Sequence, residues 1–552
     1  MANLKHDLYE EMAKFPIISP HGHVDANVLA NNENWADAVD LLIRPDHYVT
    51  RMLYSQGISY EELKKSGIEV WKIFHSNWKL FAGTPSRLWL NEIFSSLFDI
   101  EDFAEISAEK SYAKINERLA SDEFKPLTLF KRFNIEVLAT TDSTNDSLTA
   151  HKKLSEVNLT GKVIPTFRPD DVTDPDRKDF RVAIEKLGVN SFAELIVKLK
   201  ERRQYFKKHG ATATDHGIFS PQTLKISDSD KELLFKDVLS GKRFDEYRAV
   251  MLFEFAKMSA EDGLVMQLHP GSYRNYDQEI FEKYGADKGF DIPTATTFTS
   301  ELRPLLNEVG KNPNFRMVLF TLDESTYSRE LAPLAGAYQS VRLGPPWWFH
   351  DSLNGMRRWR DATIETAGYY NTVGFIDDTR AFCSIPARHK IARKFDAKYL
   401  AEQVDAKLIT KKEAFELAPL LGYKLSKDFS DDVTRIRETI YTQKFSGAAA
   451  GFFNANIIAR DLGLIDKSEN KSASEIKKDK DIIKLRADFE ALTAEVSFND
   501  SLIKALVDQL YEAHKKVIDS EVSLLQASRA YHIDRSDFLK QYALLADNSD
   551  WM

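Results

Sequence analysis

Short runs of apolar residues alternate along this chain with longer stretches whose apolar positions recur every three to four residues. The runs are Ile17-Ile18, residues 135–140, residues 163–167, a weaker extended segment at 211–214, and residues 264–268, 317–321, 341–343 and 373–376. Each is too short for a helix and largely apolar, the pattern of strands covered on both faces in a parallel sheet. Between them, residues 191–209 and 245–260 carry helical periodicity. Strands that alternate with amphipathic helices predict a parallel α/β architecture.

The runs share one property at their C-terminal ends, where polar or ring-bearing residues follow. The first leads into His21-Gly22-His23, the second into Thr141-Asp142, the third into Arg168-Pro169-Asp170 and the fourth into Asp215-His216-Gly217. The remaining four lead into His269, Asp323-Glu324, Trp347-Trp348 and Asp377-Asp378-Thr379-Arg380. A (β/α)8 barrel gathers its chemistry at the C-terminal ends of its strands, so the pattern predicts a barrel in preference to an open doubly wound sheet. Two regions fall outside the alternation. Residues 28–130 are helix-like and aromatic, with Trp71, Phe74, Trp78, Phe81, Trp89 and Phe94, and read as a helical insertion after the first strand. The charged, Ser-containing stretch 467–480 and the helical periodicity of 482–525 predict a helical C-terminal extension over 457–552, following a barrel over 1–456.

Length and charge narrow the class. The 552 residues carry a formal net charge of -9, which argues against a nucleic-acid binder. Cys383 is the one cysteine, so no intramolecular disulfide is possible. The N-terminus lacks the apolar core of a signal peptide, and no apolar run reaches the ~18 residues of a membrane span. The expectation is a cytoplasmic protein with no membrane partner. A helical tail leaves self-association into a homo-oligomer open.

His21 and His23 stand at i and i+2 on an extended segment and so point to one side. An enzymatic divalent cation takes about three protein ligands and an open position. Asp378, at the end of the last strand and hence beside the first in a closed barrel, is the best third ligand. His269 is a plausible fourth and His216 a weaker one. Any one of these alone is more often a hydrogen-bonding loop residue; their joint placement at one barrel end carries the reading. Arg168 and Arg274 are natural anchors for a substrate carboxylate, which guanidinium groups bind with paired hydrogen bonds; structural ion pairs are the alternative. Arg380, two residues from Asp378, can share its direction. Trp347 and Trp348 read as core or as an aromatic wall. His47-Tyr48, in the insertion, says little by itself.

Taken in order, these motifs resemble the uronate isomerase (glucuronate isomerase) family of the amidohydrolase superfamily. The resemblance runs from His21-Gly22-His23 through Asp46-His47-Tyr48, Arg51, Thr84–Trp89, Thr140–Asp142, Phe167–Asp170, Asp215–Gly217, Met266–His269 and Arg274-Asn275. It continues through Thr321–Asp323, Trp347–Phe349, Asp378–Arg380 and Phe453–Asn456. It implies a distorted (β/α)8 barrel that interconverts D-glucuronate with D-fructuronate or D-galacturonate with D-tagaturonate, and no redox cofactor. It also implies a divalent metal, with zinc the expected ion, on His21, His23 and Asp378 with His269 nearby. Arg168 and Arg380 would bind the substrate, His47 and Tyr48 would reach in from the insertion, and Asp378 could also act in proton transfer. Asp377 and His350 stand where the family usually has Thr and Asn. Two other readings are a metal-dependent hydrolase on the same scaffold and a non-catalytic sugar-acid binding protein.

Overall fold

The computed structural model describes residues 2–430; the expected extension over 457–552 and the Phe453–Asn456 motif lie outside the described residues. The strands follow one another around the sheet in chain order and run parallel. Ile17–Ser19, Ile135–Ala139 and Lys162–Ile164 form one group of neighbours. Ala213–His216, Val265–Leu268, Met317–Leu319 and Val341–Leu343 form another. The third run, expected as one strand over 163–167, divides at Pro165, which has no N–H to give a ladder. Its first part pairs with Ile135–Ala139, while Phe167–Arg168 pairs with Asp142–Ser143 and, through Phe167, with Thr214.

The eighth run departs further from a regular strand. Thr372 bridges Leu343 and Val373 N donates to Leu343 O at 3.1 Å, so the segment takes its place beside the seventh strand. It makes no ladder with the first. Gly374 has a φ of 76° and Asp378 one of 39°, both outside extended backbone. Ser426 Oγ donates to the carbonyls of Val373 and Phe375 at 3.1 and 3.3 Å, taking acceptors that a ladder would use. Closure comes at the C-terminal end instead, where His23 N donates to Thr379 O at 3.0 Å. This is the distortion of the barrel.

Strand alternation separates two apolar layers. Met266, Leu268, Met317, Leu319, Val341 and Leu343 pack outward against the surrounding helices, including Phe192–Lys208 and Phe244–Asp262. Ala213, Val265 and Val318 point inward beneath Phe320, Trp347 and Trp348. Between the first and second strands the chain is helical, as expected, with helices from Ala26–Asn31 to Pro126–Arg132. Trp71, Phe74, Trp78, Phe81 and Phe94 form its own core together with Phe103. Trp89 stands apart from that core and carries the Arg388 guanidinium 3.5 Å over its ring.

Phe74 is fully buried in that insertion core. Phe74→Ala is expected to cost about 3–5 kcal/mol, read as a lower urea midpoint at an unchanged slope.

Candidate active site

One cavity of about 760 Å³ opens at the C-terminal ends of the strands. His21, His23, His47, Tyr48, Arg168, His269, Arg274, Trp347, Trp348, Asp378 and Arg380 all line it. The barrel supplies most of these from strand ends. His47 and Tyr48 arrive on the helix His47–Tyr54, whose N-terminus is capped by Asp46, which accepts from Tyr48 N at 2.9 Å.

His21, His23 and Asp378 each present a ligand atom within 4.8 Å of the others, and so do His21, Asp215 and His269. Asp378 Oδ1 lies 3.3 Å from His21 Nε2 and 3.1 Å from His23 Nε2, yet it accepts no hydrogen bond from either. For His23 the tautomer supplies a reason. Thr141 Oγ1 spends its proton on the Gly22 carbonyl at 3.0 Å, so it accepts from His23 Nδ1–H, its close neighbour. His23 Nε2 is then left with a lone pair aimed at a carboxylate. His269 repeats the arrangement: its Nδ1–H donates to Asp215 Oδ1 at 2.7 Å, and its Nε2 is buried without a partner. Burial lowers the pKa of both His23 and His269 despite their carboxylate neighbours. His21 behaves oppositely: burial would lower it, but Asp215 and Asp378 raise it above the ordinary imidazole value. Burial alone would raise the Asp378 carboxyl, yet the neighbouring His21, whose own pKa is raised, holds it well below the usual range. Outward lone pairs on His23 and His269, ionised carboxylates and a preference for positive charge fit a divalent cation; the other nitrogen is fixed by Thr141 on His23 and by Asp215 on His269, as metal-binding histidines require, while Nδ1 of His21 is buried without a partner.

The arginines occupy another wall. Arg168 is held from two sides, by Asp170 at 2.8 Å and Asp215 at 3.0 Å. Arg274 pairs with Asp291 at 3.1 Å and Arg380 with Asp287 at 3.0 Å. The Nη2 atoms of Arg168 and Arg274 converge over Gly217, where a Cβ would overlap the first and come within 3.2 Å of the second. Trp347 and Trp348 are both core and wall: each is less than a tenth exposed, with Trp347 edge-on to His269 and Trp348 edge-on to His47. Burial drops the His47 pKa to about 4 and raises the Tyr48 phenol well above 10, so both are neutral near pH 7.

Some residues fall outside the sequence reading. His216, weighed as a ligand, alternates with Asp215 and turns its ring to Phe255 and Thr214 Oγ1, 3.0 Å away. Asp215 takes the inward place, which the parity it shares with Ala213 could have signalled. Arg388 had no motif to announce it. It is buried, donates to Asp351 Oδ2 at 2.8 Å and to Asp377 O at 3.3 Å, and so braces the backbone next to Asp378. The two departures from the family pattern turn away from the main cavity: Asp377 pairs with His389 at 3.0 Å and His350 Nε2 meets Leu322 O at 2.9 Å.

A parallel barrel whose strand ends gather a His-x-His pair, a further histidine and a last-strand aspartate defines an enzyme with an amidohydrolase-like fold and a candidate divalent-metal site. The chain belongs to the glucuronate isomerase family, whose model matches residues 1–429. It is 48% identical over 442 residues to a uronate isomerase of Rhizobium meliloti, covering 76% of this chain and 94% of that protein. The crystal structure of glucuronate isomerase from Caulobacter crescentus superposes with a TM-score of 0.76 at 45% identity, over 78% of this chain and 94% of that one. A uronate isomerase structure from Thermotoga maritima gives a TM-score of 0.74 at 28% identity, over 78% and 97%. Two unrelated models, for the DNA-packaging protein gp3 and the sigma-70 non-essential region, match only residues 412–470 and 459–552. No helix among the described residues is long and apolar enough to cross a membrane.

Burial lowers the His216 pKa from 6.5 to about 4. The folded state keeps this ring neutral while the unfolded chain takes up a proton below pH 6.5. The stability it contributes is therefore present above pH 6.5 and is lost as pH falls toward 4. The gap in melting temperature between the wild type and His216→Gln is expected to narrow from pH 7.5 to pH 5.

Proposed function

We propose that this protein is a hexuronate aldose–ketose isomerase, converting D-glucuronate to D-fructuronate or D-galacturonate to D-tagaturonate in cytoplasmic uronate catabolism. The observation that carries the reading is the pairing, within one cavity, of the His21–His23–Asp378 cluster with the converging guanidinium edges of Arg168 and Arg274. One end suits a hydroxy-carbonyl and the other a carboxylate, the two ends of a hexuronate. Kinship with proteins named uronate isomerase supports the same assignment.

Isomerisation moves hydrogen between C2 and C1 and leaves the oxidation state of the whole molecule unchanged. It requires a base, stabilisation of the carbonyl oxygen and an anchor for the distant carboxylate. In this reading Arg168, Arg274 and Arg380 receive the carboxylate. Trp347 and Trp348 wall the sugar and restrict water. Asp378, kept ionised, holds or moves the proton, and Tyr48 and neutral His47 orient the hydroxyl groups. His21, His23 and Asp378, with His269 beside them, would hold a divalent ion, with zinc the proposed metal; when bound it supplies Lewis-acid polarisation of the hydroxy-carbonyl end. A hydrolase on this scaffold would have less use for a cluster of arginines across the cavity, and a pure binding protein would not require an ionised Asp378.

Incubation of the purified protein with each uronate is expected to yield the corresponding ketose from at least one of them. No ketose from either would sink the isomerase reading. Asp378→Asn should lower kcat by at least ~100-fold while uronate binding persists. Loss of binding with no turnover change would contradict the role given to Asp378. Metal analysis of the wild type is expected to find a divalent ion at near one equivalent, and markedly less in His23→Ala.

A further inference from the structure

The segment that leaves the fifth strand returns across the cavity rim, tied at its base by the antiparallel pair Ser272–Tyr273 and Ile292–Pro293. Its far end is seated on the insertion. Tyr60 donates to Lys288 O, Tyr284 donates to Glu61 at 2.8 Å, and the Phe290 ring meets Tyr54 at 5.2 Å. Gly289, with a φ of 83°, presses on the helix that carries His47 and Tyr48; a Cβ there would come within 2.6 Å of Arg51 Cβ. In this turn Asp287 has a φ of 62°, a left-handed conformation unfavourable to a residue with a side chain.

That conformation aims a carboxylate into the cavity. Asp287 Oδ2 is 3.0 Å from Arg380 Nη2, and the charge of Arg274 acts on it as well. Arg168, Arg274 and Arg380 each carry a carboxylate, but the exposures of those carboxylates differ. Asp215 is 1% exposed, Asp291 5% and Asp170 12%, whereas Asp287 is 40% exposed, as is Arg380. The first three are fixed by burial. Of these four, Asp287 is the one that stands on a turn at the rim, in an ion pair that water already reaches and that is correspondingly weak.

We infer that Asp287 is a specificity residue which occupies the anion-binding face of Arg380 in the free enzyme and is exchanged for the carboxylate of the incoming sugar acid. The inference rests on the uronate reading of the cavity. An acid displaces Asp287 by replacing one carboxylate with another. A neutral aldose has nothing to offer Arg380, so the pair stays closed against it. Release of Asp287 also frees the strained turn at 286–289, which couples occupation of the anion seat to movement of the rim.

The test compares wild type, Asp287→Asn and Asp287→Glu for binding of D-glucuronate, read by the fluorescence of the cavity tryptophans, and for KM. Without its competitor, Asp287→Asn should bind D-glucuronate about three- to fivefold more tightly with a matching fall in KM, and D-glucose should gain nothing. Asp287→Glu should keep the wild-type values. Hydrogen exchange of residues 284–293 in the wild type should quicken on addition of D-glucuronate. Unchanged or weaker binding by Asp287→Asn, as a purely structural brace on Arg380 would give, overturns the inference, and so does exchange that does not respond to the sugar acid. Ketose formation with no gain in Asp287→Asn refutes this inference alone. Absence of uronate binding in every variant refutes it together with the isomerase reading.

Discussion

Asp215 is buried and Asp378 largely so at the mouth of the barrel, and both carboxyls are held well below the ordinary range, so both are ionised. Withdrawing a carboxylate from water costs several kcal/mol unless charge and hydrogen bonds compensate. The surrounding residues answer that cost from several strands at once. His21 stands between the two acids and His269 and Arg168 take Asp215, whereas His23 leaves a bare nitrogen facing Asp378 that gives no such compensation. Thr141 then has a defined role, because its hydroxyl chooses which nitrogen of His23 is bare. The resulting site is an electrostatic balance that favours positive charge.

The same cluster stands at the weakest seam of the fold. The eighth segment borders the seventh through one bridge and gives two of its carbonyls to Ser426 rather than to the first strand. What joins the first segment to the last is the His23–Thr379 backbone bond and the approach of Asp378 to the two histidines. Irregular backbone at Asp378 is part of the same device, since an extended strand would alternate past the cluster rather than turn a carboxylate into it.

Much of this arrangement was legible in the sequence because period-two alternation and strand-end chemistry are local properties. The order of the strands, the helical insertion with its aromatic core, and the meeting of His21, His23, His269 and Asp378 follow from them. Three features did not follow. The break at Pro165 reads locally as one apolar run, and only the pairing shows that its halves serve different neighbours. His216 and Asp215 share a motif, and deciding which faces inward requires the register of the strand. Arg388 acts through Trp89, Asp351 and the Asp377 carbonyl, contacts between distant segments that leave no spacing to read. Arg274 reads as a carboxylate anchor from its chemistry and Arg380 as a substrate contact from the family resemblance; their resting partners, Asp291 and Asp287, come from a segment whose sequence shows no strand or helix to place it.

The seam between the first and last segments has a temporal side. The residues that face each other there come from opposite ends of the barrel sequence, so the cluster is among the longest loops the chain must close. During synthesis His21 and His23 emerge early and wait, beside an unpaired strand edge, for a partner made last. The insertion, with its own core around Trp71 and Phe74, can condense in that interval and shelter the first strand. No fragment that ends before the last segment can bring Asp378 to His21 and His23, so that corner of the candidate cation site is a property of the finished fold.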